Sequence, residues 1–330
     1  MGTTILHRIY DQVVTRRMQR WILWGALSLL SVGCTERSLE TRRIPVAIRL
    51  YTGIQSRGAV DRFEGTSVCI AQAVSSGKYT ECWDGVATGS EIVLVPTRYY
   101  PENGNTLYLR GYYPPASMSV DGELTYTLTG KEDLMVSGEC SGSLEKPFLP
   151  DSGSNLIFSH LLVKLFFVVE IEGMDSPSYR LRELHVAGLA ERACVTLRDA
   201  TVACDGIAAP ISLYEVTEGS DGLTFQGGRV ELPGALLVQP GTGFKLDIVL
   251  AADDDRENDL SYTDCPVEFE EGEGESGRAY RVKIVLPSPD APDPVQLRIT
   301  ATVVPWESVE VEGDLDLNPK NSTRENQNMN

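Results

Sequence analysis

Residues 155–170 read NLIFSHLLVKLFFVVE. The apolar run is long enough for helix and strand to compete for it. Its end is aromatic and β-branched, with Phe166, Phe167, Val168 and Val169 in a row, and such side chains suit a pleated, half-buried surface. The run therefore reads as strand, and the segments around it agree. Upstream, Ile44, Val46, Ile48 and Leu50 alternate with Pro45, Ala47, Arg49 and Tyr51, the period-two pattern of a strand with one buried face. Pro45 lacks an N–H and suits an edge strand better than a central one. Glu91–Pro96, Thr106–Tyr112 and Leu124–Thr129 continue the pattern. Downstream come Arg182–Gly188, Ala193–Leu197, Gly234–Val238, Phe244–Ala251, Ala279–Leu286 and Val295–Val304. Gly, Pro, Asn and Asp fill the gaps, as turns require. No long amphipathic helix stands out.

The expected fold class is all-β, with two β-sandwich domains. Ser137–Ser154 is polar, rich in Gly and Ser, and broken by Pro147 and Pro150. It divides an N-terminal sandwich, 44–150, from a C-terminal one, 151–312. Residues 313–330 lose the pattern and read as a polar tail.

The first residues have another purpose. Arg16, Arg17 and Arg20 precede the apolar run Trp21–Val32, which ends in Gly33-Cys34. A basic stretch, a short apolar run and a small residue form an export signal. The run is shorter than the roughly 20 residues needed to span a bilayer. A cysteine directly after the small residue points to lipoprotein processing, with lipid on Cys34 and the cut before it. Ser31 stands where leucine is commoner in such signals, with Leu30 one place early. Met18 opens a compact signal in its own right. Residues 1–33 thus form the signal peptide and 34–43 a lipidated linker.

The whole chain has 29 Lys+Arg and 47 Asp+Glu. Removing residues 1–33, with Arg8, Arg16, Arg17, Arg20 and Asp11, leaves 25 basic and 46 acidic residues, a net −21. So acidic a surface repels phosphate backbones, which argues against nucleic acid as a partner. It also repels anionic membranes, so outer-membrane contact falls to the acyl chains on Cys34.

Six cysteines follow Cys34: Cys69, Cys82, Cys140, Cys194, Cys204 and Cys265. An exported chain can oxidise them. Cys194 and Cys204 flank a hairpin, CVTLRDATVAC, and are the expected disulfide; Cys69 and Cys82 flank another. No CxxC or His-rich cluster argues for a metal, and no cofactor is expected. Ser159-His160 suggests a nucleophile and base, but neighbours on a strand point to opposite faces, so His160 reads as a buried, hydrogen-bonded residue. Asp253–Asp259 (DDDREND) lacks the glycine and final glutamate of a calcium loop and contains Arg256, so it reads as a solvated loop. Tyr99, Tyr100, Tyr112 and Tyr113 read as corner packing ahead of an aromatic binding surface. Nothing in the spacing singles out catalytic residues, and the chain is expected not to be an enzyme.

Several stretches resemble the fimbrillin superfamily of Bacteroidetes surface lipoproteins. Phe158, His160, Leu162, Lys164 and Leu165 fill an F-x-H-x-L-x-K-L pattern after the strand Asp133-Leu134-Met135-Val136. Arg98-Tyr99-Tyr100-Pro101 and Leu109–Pro114 resemble the family's aromatic-proline turns. Tyr280–Ile284 and Ile299–Trp306 resemble its closing strands. The resemblance covers about residues 45 to 306 and implies two transthyretin-like β-sandwiches. It implies that an arginine-specific protease removes an N-terminal strand, so that a strand from another subunit fills the groove. Such an open groove leaves backbone groups unpaired and apolar core exposed, and an added strand satisfies both.

On that reading Ile44–Leu50 is the strand to be removed. A cut after Arg57 or Arg62 would release it; a cut after Arg43 would leave it in place. At the other end Val309, Val311, Leu315 and Leu317 alternate with acidic residues and form a candidate donor strand. The expected function is a cell-surface fimbrial subunit or fimbria-associated adhesin, anchored to the outer membrane as a lipoprotein precursor. Its partners would be other subunits and a host protein or glycan receptor. The alternative is a non-polymerising surface lipoprotein that binds glycans or host proteins.

Overall fold

The computed structural model describes residues 44–54, 64–150, 153–172, 179–216, 221–241, 243–251, 259–287 and 297–306. Among the described residues every regular element is a strand, so the all-β class stands. In chain order the strands are β1 (Leu50–Ile54), β2 (Glu64–Ala73), β3 (Glu81–Thr88), β4 (Glu91–Val95), β5 (Leu107–Tyr113), β6 (Glu123–Thr127), β7 (Met135–Ser137) and β8 (Cys140–Gly142). Next come β9 (Leu156–His160), β10 (Val163–Ile171), β11 (Arg180–Ala187), β12 (Arg192–Thr196), β13 (Thr201–Asp205), β14 (Ile211–Glu215), β15 (Leu223–Thr224) and β16 (Arg229–Glu231). The last are β17 (Leu236–Val238), β18 (Lys245–Ala251), β19 (Leu260–Pro266), β20 (Glu268–Phe269), β21 (Ala279–Leu286) and β22 (Arg298–Val304).

The run at 155–170 is two strands. β9 alternates buried Leu156, Phe158 and His160 with outward Ile157 and Ser159. The alternation fails at His160–Val163, where four successive residues are buried. There the chain leaves one sheet and enters another as β10. Side chains alternate along a strand, so this break marks burial on both sides of the chain, and it is here that β9 of the first sheet gives way to β10 of another.

The first sheet closes on itself. Its order is β2-β3-β4-β1-β9-β7-β5, and β5 pairs back with β2, while β8 extends along β5 beside β7. Every pairing in this ring is antiparallel except β1 with β9. Closure removes the free edges a sheet would otherwise present. The interior holds Ile48, Leu50, Val68, Ile70, Trp83, Ile92, Leu109, Leu156 and Phe158, among others. It is tight: a Cβ at Gly111 would fall well inside van der Waals contact of the Phe158 ring. That close approach explains the glycine within Leu109–Tyr113.

The outer face of β2, β5 and β7 is covered by a three-stranded sheet, β13-β12-β6. The covering core contains Cys69, Ala71, Tyr112 and Val136 from the ring, and Leu124, Tyr126, Ala193 and Val195 from the cover. β2 is therefore buried on both faces along much of its length. β6 comes from before the Ser137–Ser154 stretch and β12 from after it, and β9, also after it, lies inside the ring.

Two more sheets enclose the largest core. One runs β16-β10-β21-β22-β20, with β17 also on β10; the other runs β14-β11-β18-β19, with β15 also on β11. Their shared core includes Leu165, Phe167 and Val169 of β10, Leu184 of β11, Ile248 of β18 and Tyr280 of β21. β10 pairs with β21 along Lys164–Ile171 and is covered on its other side by β17 and β16.

Candidate functional site

The N-terminal segment occupies a slot in the ring. β1 meets β4 at Leu50 and Tyr51, and β9 along Thr52–Ile54. Regular strand begins at Leu50, where the sequence pattern placed its end. Ahead of it, Ile48 N donates to Arg98 O (2.8 Å) and Val46 O accepts from Tyr100 N (3.1 Å). Pro45 cannot donate, so the ladder stops there. The inward positions are Ile48, Leu50 and Thr52, whereas Ile44 is 87% exposed and Val46 47%. Thr52 adds a side-chain hydrogen bond to Leu156 O (3.0 Å). The strand is interior, paired on both sides. Ahead of it, among the described residues, Ala47 bridges only to Tyr99, and Pro45 lies outside the ladder and costs it no bond.

The F-x-H-x-L-x-K-L pattern forms a clamp. Phe158 fills the ring, and Leu162 and Leu165 enter the adjoining cores. His160 and Lys164 straddle the layer change and converge on Trp306, the last described residue. The His160 ring stacks on Trp306 with centroids 4.0 Å apart, and its Nδ1 donates to Asp133 (2.7 Å). Lys164 Nζ donates to Trp306 O (3.1 Å) and lies 5.2 Å from its ring centre. Trp306 packs with Phe166 and Ala279. Sequence reading picked out the motif and the closing Val-Pro-Trp separately and missed their contact. The signal was their joint presence, but nothing in one dimension brings residues 160 and 306 together.

His160 is buried, as expected, and Ser159 points the other way. Tyr100 and Tyr112 are buried, so they present no aromatic surface; Tyr99 is 52% exposed. Asp259, at the end of the acidic loop, pairs with buried Arg182 (3.5 Å) and is not simply solvated. The rest of that loop lies outside the described residues. So do Cys34, Arg43, Arg57, Arg62, Val309, Val311, Leu315 and Leu317.

The expected disulfide between Cys194 and Cys204 is overturned. In the β12–β13 hairpin Cys194 is opposite Ala203, and Cys204 is opposite Ala193. The two cysteines are one step out of register and project from opposite faces of the sheet. Cys204 faces the core beneath and Cys194 faces away, and both are free thiols. Flanking a hairpin placed them near each other, but register parity separates them.

A second polar cluster holds the β2–β3 turn. The Glu139 carboxylate accepts from Ser76 Oγ (2.6 Å), Gly77 N (2.9 Å) and Tyr79 Oη (2.5 Å). Burial alone would raise its pKa, but these three donors prevail and hold it below the usual carboxylate value.

The chain belongs to the fimbrillin-like family, whose profile matches residues 62–306. No curated protein matches it. Among solved structures it is similar to a candidate cell adhesion protein from Bacteroides uniformis, at TM-score 0.52 and 14% identity, covering 79% of this chain and 98% of that one. A candidate cell adhesion protein from Bacteroides ovatus matches at TM-score 0.52 and 13% identity, covering 80% and 99%. Another from Parabacteroides distasonis matches at 0.50 and 9%, covering 79% and 97%. At such identities the likeness is one of fold.

Proposed function

We propose that this protein is a cell-surface fimbrial subunit or fimbria-associated adhesin that assembles by donor-strand exchange. It acts by binding, without catalysis. On this reading residues 1–33 are an export signal, lipid on Cys34 holds the precursor to the outer membrane, and two transthyretin-like sandwiches form the body, the first drawing β9 and the β12–β13 hairpin from beyond residue 151. Family membership and the adhesion proteins of like fold support the role. Separate cores for the ring and for the largest pair of sheets support the two-part body.

The observation that carries strand exchange is the position of β1. It sits between β4 and β9, and its removal would open the ring there. Backbone groups of both neighbours and the pocket of Ile48 and Leu50 would be left bare. Each such side chain returns about 1.5–3 kcal/mol when reburied, so a strand from another subunit has a defined place to bind. A cut after Arg57 or Arg62 frees β1, and the 309–317 alternation is the candidate donor. Partners would be other subunits and a host protein or glycan.

Limited arginine-specific proteolysis of the chain from residue 35 onward tests this. Mass spectrometry locates the new N-terminus, and size-exclusion chromatography follows assembly. Loss of β1 with a ladder of oligomers is expected. A stable monomer that keeps β1 would overturn the polymerising role.

A further inference from the structure

Cys69 on β2 and Cys82 on β3 lie on the same face of one antiparallel pair. Cys69 is opposite Asp84 and Cys82 opposite Ala71, so the two form a cross-strand diagonal, and the right-handed twist of a strand pair shortens one of its diagonals. Each thiol is the largest influence on the other's ionisation, as two sulfurs on one face of a strand pair would be. The Tyr112 hydroxyl lies 3.1 Å from Cys82 Sγ and is itself fixed by donating to Ala116 O (2.8 Å). Cys69 is buried under the covering sheet, while Cys82 is partly exposed. Cys194 and Cys204 point apart, so register parity that forbids one hairpin's pair permits the other's.

We propose that Cys69 and Cys82 form a built thiol pair that closes to a disulfide across β2 and β3 when the protein meets a disulfide-bearing oxidant. The reaction is exchange with that oxidant. The partly exposed Cys82 sulfur, as thiolate, attacks one oxidant sulfur; the oxidant S–S bond breaks and a mixed disulfide forms. Cys69, as thiolate, then attacks the Cys82 sulfur and displaces the second oxidant thiolate. Two protons pass from the pair to the two released thiolates, and two electrons pass from protein to oxidant. Chemistry suits the step, since the neighbouring Cys82 thiol outweighs burial and holds the first ionisation down, at about 7 for Cys69. That first proton belongs to the coupled pair, so either sulfur can carry the charge. The same neighbourhood pushes the second ionisation, at Cys82, up. The link would hold the β2–β3 hairpin of the ring whatever happens at β1.

The purified full chain, reduced and then incubated with glutathione disulfide, provides the test. Samples are quenched by alkylation and mapped by mass spectrometry. A cross-linked peptide pair carrying Cys69 and Cys82 is expected, forming faster as pH rises through about 7. In Cys69→Ser the reaction should stop at a glutathione adduct on Cys82, a readout that survives if closure itself is impaired. The proposal is overturned if Cys69 and Cys82 both remain alkylatable in the wild type, or if either links to a different cysteine.

Discussion

β1 and β10 are both interior strands with a partner on each side, yet they are held very differently. β10 pairs with β21 from Lys164 to Ile171 and buries Leu165, Phe167 and Val169 in the largest core. β1 meets β4 at two residues and β9 at three. Hydrogen bonds contribute about 0.5–1.5 kcal/mol each, net, so the shorter ladder makes β1 the more weakly held of the two. The closed path β2-β3-β4-β1-β9-β7-β5 has no free end, whereas the largest core is bordered by the strands β19 and β14 at the ends of their sheet. An assembly based on strand exchange is expected to use the short interior strand, because an exposed edge invites uncontrolled pairing.

The contrast can be broken at its strong end. Phe167→Ala on β10 should cost about 3–5 kcal/mol, read by denaturant unfolding, and should loosen β10, β21 and β11 together. A loss below about 1 kcal/mol would mean that β10 is no better held than β1. Trp306→Ala should cost a similar or slightly smaller amount, about 3 kcal/mol, and quicken hydrogen exchange at β22 sooner than in the ring. Leu50→Ala should cost about 2–3 kcal/mol, but hydrogen exchange should quicken at β1, β4 and β9 while β10 and β21 keep their protection. Uniform loss of protection would dissolve the distinction between the two strands. Gly111→Ala should cost about 1–3 kcal/mol by overpacking against Phe158, again with the loss confined to the ring.

The smallest expected effect sharpens the picture of the ring's turn. Glu139 titrates below the usual carboxylate value in the folded protein. Its contribution is therefore full above the unfolded value and is lost as pH falls through the folded one. Glu139→Gln leaves one oxygen for three donors and should cost about 0.5–1 kcal/mol at neutral pH. It should also remove the matching part of the acid-side slope in a stability-against-pH series.

Much of this protein was fixed by local pattern. Period-two alternation and turn residues settled the all-β class and located β4, β11, β18 and β21, because a strand with one wet face records its burial in every second residue. The motif Phe158–Leu165 was visible as a motif. β2, with apolar or small residues facing both ways, and the layer change at Leu161–Leu162 were harder to read, since burial on both faces erases the alternation. Tertiary structure alone decided closure of the ring, the interior place of β1, the clamp of His160 and Lys164 on Trp306, and which hairpin brings its cysteines together. Each depends on register and on contacts between residues far apart in the chain. Shifting a strand by one residue leaves its composition untouched and turns every side chain to the other face.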